Sequence, residues 1–163
     1  MALSIDYKLM GSGWAECTIT DDERTCTVTA SYLSDAFGDL VLSAVAMFHW
    51  FNAVSFSFEE EPGEYRWVLK SKPNNLLELK VLDCYDIHTN STADDECKVL
   101  FSTISSQVEF GDAVVKAGNT LLQTHGEAGY FEKWVTYPFP TASFNQLVEL
   151  LTKFDFLRDR SIV

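Results

Sequence analysis

Two runs of strict alternation flank a short polar link near the start of the chain, and they constrain its fold more than any other feature. Ala15, Cys17 and Ile19 alternate with Glu16, Thr18 and Thr20. After Asp21-Asp22-Glu23-Arg24, the residues Cys26, Val28, Ala30 and Tyr32 alternate with Thr25, Thr27, Thr29 and Ser31. Period two is the signature of a strand with one buried face. A link this short closes a hairpin, so the pair is antiparallel. Its even length keeps both apolar sets on one side, and a slip of one residue would send Cys26 and Val28 into solvent. One permitted register sets Cys17 opposite Cys26; another sets it opposite Val28.

The same pattern returns further on. Val54, Phe56 and Phe58 alternate with Ser55, Ser57 and Glu59, and Tyr65, Trp67 and Leu69 follow Glu60-Glu61-Pro62-Gly63-Glu64. Pro62-Gly63 suits the two central positions of a type II turn. Leu77, Leu79 and Val81 follow the turn-forming Ser71-Lys72-Pro73-Asn74-Asn75, and Cys97, Val99 and Phe101 complete a further pair. The stretch from Asp86 to Glu96 is polar and reads as a loop.

Three segments change to helical spacing. Ser34 is placed to cap the first, with Asp35 in its first turn. There Phe37, Leu40, Val41, Ala44, Val45 and Phe48 recur at steps of three and four. Gly38 within it suggests close approach to the sheet. Phe110, Ala113, Val114, Ala117 and Leu121 mark a second helix that ends at His125-Gly126. Tyr130, Phe131 and Trp134 form a short aromatic turn or helix, which Tyr137-Pro138-Phe139-Pro140 breaks. Thr141 or Ser143 then caps a last helix through Phe144, Leu147, Val148 and Leu151. The expected fold is α+β: an antiparallel sheet of about six strands in the order β-β-α-β-β-β-β-α-α, with helices on one face. No repeat or linker divides it, so residues 1–163 read as one domain.

Composition bears on function through charge. Lys plus Arg number 12 and Asp plus Glu 24, a net charge of −12 over 163 residues. That sign argues against nucleic-acid backbones as partners, since these need clustered Lys and Arg. The aromatic share of 13% argues against disorder, despite the charge. The start of the chain lacks the pattern of a signal peptide. The most apolar stretch, from Leu40 to Phe51, is too short to span a bilayer. Cys17, Cys26, Cys84 and Cys97 form no C-x-x-C pair, and free thiols in the cytoplasm are the expected state.

Catalytic signatures are missing. There is no G-x-S-x-G elbow, P-loop or paired-histidine metal motif, and Gly11-Ser12-Gly13 lacks a dinucleotide loop's third glycine. No cofactor or metal is implied. An enzymatic site would have to be scattered, with Asp35, Asp39 and His49 as its candidate groups. Trp50 and Phe51, after the apolar helix, are candidates for an exposed patch.

Strand order turns the charge into a location. The link from Glu59 to Glu64 and the loop from Asp86 to Glu96 should fall at one end of the sheet. Glu59, Glu60, Glu61, Glu64, Asp86, Asp94, Asp95 and Glu96 would then share a rim. Lys70 and Lys72 belong at the other end, near the Asp21-Asp22-Glu23 tip. An acidic rim keeps a protein soluble, and it also steers and orients a basic partner.

Three strings carry a resemblance. Tyr32 to Leu40 (YLSDAFGDL), Glu60 to Trp67 (EEPGEYRW) and Tyr137 to Pro140 resemble a family of uncharacterised bacterial proteins without an assigned activity. In size, charge and class the chain also resembles the immunity proteins of contact-dependent growth inhibition, cytoplasmic binders that neutralise a toxin domain. That resemblance implies a protein partner, and the predicted acidic rim would dock it through Glu59, Glu60, Glu61, Glu64, Asp94 and Asp95. The alternative is a small-molecule module whose pocket, between sheet and helices, uses Tyr65, Arg66 and Trp67.

Overall fold

The computed structural model describes residues 2–84 and 92–160; Asp86 and His88 lie outside them. The fold is α+β, and the described residues form seven strands in two antiparallel sheets and three α-helices. The first sheet holds β1 (Ser4–Met10), β2 (Trp14–Thr20) and β3 (Thr25–Ser31) in that order. The second holds β4 (Ala53–Glu59), β5 (Glu64–Lys72), β6 (Leu76–Cys84) and β7 (Lys98–Ser106). Helix α1 (Ala36–Ala46) links the sheets, and α2 (Gln107–Trp134) and α3 (Thr141–Arg160) follow β7.

Two points differ from the expected single sheet of about six strands. Strand β1 is additional: Ile5, Tyr7 and Leu9 are buried and alternate with Asp6, Lys8 and Met10. It pairs with β2 through a tight turn in which Gly11 and Gly13 both take positive φ. The break into two sheets falls where α1 interrupts the strands. Alternation specifies pairing within each hairpin, but not whether one hairpin's edge bonds to the next.

The first hairpin takes the register that sets Cys17 opposite Val28, with Cys26 opposite Ile19. Cys17 and Cys26 are free and buried. Cys84 and Cys97 instead form a disulfide, which corrects the expectation of four free thiols. The expectation of free thiols rested on a cytoplasmic setting and not on which strand ends meet. The ends of β6 and β7 bring the two cysteines' Cα atoms to 4.7 Å.

Helix α1 is capped by Asp35 rather than Ser34: the Asp35 carboxylate accepts from the Gly38 amide at 3.2 Å. That carboxylate fills the space where a Gly38 Cβ would lie, so the glycine serves the cap and not a sheet contact. Ser34 Oγ accepts from the Glu59 amide at 3.3 Å and ties the helix entry to the end of β4. Helix α2 opens on a capping box of Ser106 and Glu109. Gly126 does leave helical geometry, with φ 67°, but the chain re-enters a helix that runs to Trp134. Helix α3 continues past Leu151 to Arg160. No helix among the described residues is long and apolar enough to cross a membrane.

One buried cluster draws on both sheets and all three helices. Tyr7, Phe37, Phe58, Trp67, Tyr130 and Phe139 sit near its centre, with Tyr7 and Phe37 ring centroids 5.1 Å apart. The second sheet turns Trp67, Leu69, Leu77, Leu79, Val81 and Phe101 inward. Its other face carries Glu64, Arg66, Lys70, Lys72, Glu78 and Lys80, around a small apolar group of Val68, Leu82 and Cys84.

Candidate functional site

In a four-strand meander, alternate connections return to the same end. The β4–β5 turn and the β6–β7 connection therefore meet, because Glu59 pairs with Glu64 and Glu64 with Cys84. Lys70 and Lys72 lie at the opposite end of β5. Asp21 in the first hairpin's tip interacts with Thr103, one residue from the row that holds Lys70.

The β4–β5 turn contains a cis Glu61–Pro62 bond, and Gly63 takes a φ of 99°. The glycine takes the positive φ expected of it, and the turn closes through Glu60 N–H to Gly63 C=O at 3.0 Å. Glu60, Glu61, Pro62, Glu64, Tyr65 and Asp83 line a cleft of about 250 Å³ there. Thr29 Oγ1 donates to the Glu60 carboxylate from β3, and Ser57 Oγ donates to Glu64 from β4.

Burial raises the Glu59 and Glu60 carboxyls above the ordinary glutamate value, with Glu64 adding to the first and Asp83 to the second. Burial also raises Tyr65, with Glu60 and Asp83 adding. Each group resists losing a proton because it is partly desolvated next to like charge. Asp83 was not a candidate from the sequence. Its place opposite Tyr65 depends on the β5–β6 register, which the Asn74-Asn75 turn sets through positive φ at both residues.

Arg66 joins the two acidic segments. Its Nη2 donates to Glu64 at 2.6 Å, and its Nη1 to Asp94 at 2.8 Å and to the Thr92 carbonyl at 2.6 Å. Burial works against its charge, but the bonds to Asp94 and Glu64 outweigh that and raise its pKa. Asp94–Glu96 form one 3-10 turn, fixed by Arg66 at its start and by the Cys84–Cys97 bond just past its end. Asp95 and Glu96 face solvent. The rim therefore presents carboxylates on a backbone held by a hairpin, an arginine and a disulfide. Such a surface accepts hydrogen bonds and pairs with cations. Among the described residues, no group of three or more His, Cys, Asp or Glu side chains is arranged to hold a metal ion.

Tyr65, Arg66 and Trp67 do not line one pocket. Successive strand residues point to opposite faces. Trp67 is buried against Phe56 and Phe58, while Arg66 lies on the outer face with Glu64. Nor do Asp35, Asp39 and His49 converge. The two aspartates share the first turn of α1, and burial raises both carboxyls. His49 is exposed past the other end of the helix, roughly 20 Å away at 1.5 Å per residue. Trp50 beside it is fully exposed, as expected, but Phe51 is half-buried. No protein-family model, curated protein or solved structure matches the chain.

Proposed function

We propose that this chain is a binding protein of the immunity type, whose acidic rim docks on a basic toxin domain and neutralises it. The observation that carries this reading is the joining of two acidic segments at one end of the second sheet, with Arg66 and the Cys84–Cys97 bond holding them in place. Fixed charges orient a partner at less entropic cost than mobile ones. Glu59 and Glu60 carry a penalty for ionising beside their neighbours, and a partner's Lys or Arg would relieve it. The strings resembling the uncharacterised bacterial family include this turn, Glu60 to Trp67.

The test is to sequence the neighbouring genes, co-purify the chain with a toxin domain encoded there, and then introduce Glu60→Lys with Glu61→Lys. The reversed variant should bind at least tenfold more weakly and show a shallower salt dependence. A complex with unchanged affinity and salt slope would sink the rim assignment.

A second reading, small-molecule binding, moves to a different place. A mainly apolar cleft of about 280 Å³ lies between β1 and α2, lined by Tyr7, Leu9, Met10, Leu121 and His125 among others. Among the described residues, the Tyr7 hydroxyl is buried without a hydrogen-bond partner. A thermal-shift screen with apolar ligands carrying one hydrogen-bonding group checks this cleft.

A further inference from the structure

The acidic rim borders an exposed apolar corner that the motifs and the charge count left unexplained. Met10, Trp14, Tyr32 and Leu33 are each 39–49% exposed. The register makes them neighbours: Met10 pairs with Trp14, and Trp14 with Ser31, just before Tyr32. The Tyr32 amide donates to Gly13 C=O at 2.9 Å, and its ring lies where a Gly13 side chain would be. At a φ of 74°, glycine is the residue that leaves this position open.

The corner meets the rim along β3. Glu16 is next to Trp14 on the outer face of β2 and pairs with Thr29, and Thr29 holds Glu60. On the other side of Leu33, Ser34 holds the backbone of Glu59. The apolar side chains are thus flanked by Glu16, Glu59 and Glu60. Of the nearby lysines, Lys8 is paired with Asp6 at 2.7 Å, while Lys133, an exposed residue whose backbone carbonyl accepts the Gly13 amide, adds one positive charge at the edge of the corner.

We propose that Trp14, Tyr32 and Leu33, with Met10, form the apolar centre of the docking surface, and that they receive an apolar side chain flanked by Lys or Arg on a basic protein partner. The proposal rests on the rim being a docking edge and adds to it the part that supplies affinity. Large aromatic side chains near the middle of an interface contribute most of its binding energy, whereas rim charges mainly set orientation and on-rate. Charge complementarity selects the occupant. A second copy would bring Glu16, Glu59 and Glu60 against their own like charges, on a chain of net charge −12.

The probes are two short synthetic peptides of equal positive charge, one of lysine and leucine and one of lysine and serine, titrated calorimetrically. The protein should bind the leucine peptide about tenfold more tightly, equivalent to about 1.4 kcal/mol. Tyr32→Ser with Leu33→Ser should abolish that preference and leave the serine peptide's affinity unchanged; both residues are exposed, and a thermal melt checks that the variant folds. Glu59→Gln with Glu60→Gln should weaken both peptides. Equal binding of the two peptides by the parent protein overturns the apolar centre and leaves the rim standing. Binding of neither overturns both. A leucine preference that survives the double serine variant places the apolar contact elsewhere. A dimer in sedimentation that this variant dissolves makes the occupant a second copy and refutes the proposal.

Discussion

Replacing Arg66 with methionine should loosen the rim and destabilise the whole fold, and the structure sets the size of both effects. The arginine's side chain is 14% exposed and that of Glu64 22%, so their bond is worth about 1.5 kcal/mol. The bond to the Thr92 carbonyl joins a charge to a neutral acceptor and adds about as much. Asp94 is 52% exposed, and solvent screening reduces its share to a few tenths of a kcal/mol. Arg66→Met should therefore cost about 3 kcal/mol, while methionine keeps most of the stem that lies opposite Leu82. Urea denaturation measures it, and for a chain of this length the melting temperature should fall by about 6–12 °C. Asp94→Asn should cost less than about 0.5 kcal/mol. The double variant should resemble Arg66→Met alone, because the arginine is the shared partner. Amide exchange at Glu96 and Cys97 should speed up in Arg66→Met and change little in Asp94→Asn. A cost below about 1 kcal/mol for Arg66→Met, or equal costs for the two single variants, would refute the view that this arginine holds the rim together.

Two further outcomes follow from the same site. The Glu60 carboxyl is raised in the folded state, so its contribution to stability is fully present below its unfolded value, near 4.5, and is lost as the pH rises through the folded value. Glu60→Gln keeps an acceptor for Thr29 and removes this loss, so it should raise the melting temperature at pH 7 and flatten its fall between about pH 4.5 and 7; melts across that range check it. Reduction of Cys84–Cys97, which lie 13 residues apart, should cost about 3 kcal/mol in the chain-entropy model. Thiol titration of the unfolded protein should find two free groups before reduction and four after it, and four from the outset would remove the bond.

How much of this was legible in the chain differs from one element to the next. The antiparallel pairs, the amphipathic face of α1 and the acidic content of two connections follow from period and turn chemistry, which act over a few residues. The capping of α1 by Asp35 is also local, but Ser34 competes for it, and the choice was made by Glu59, whose amide takes the serine hydroxyl. The ligand trio Tyr65-Arg66-Trp67 reads as a cluster only along the chain. The pleat sends Arg66 outward, away from the buried indole of Trp67.

By itself, the amino-acid sequence determined the type of each element from β2 onward, the face most of them bury, and the ends at which the acidic turns fall. Repetition at period two or 3.6 decides these, whatever lies across the core. Tertiary structure decided the rest: two sheets instead of one, Asp83 beside Glu60, Arg66 between Glu64 and Asp94, Cys84 against Cys97, and Trp14 beside Tyr32. Each of those depends on which register or edge meets which, through residues far apart in the chain, and short-range periodicity carries no information about that.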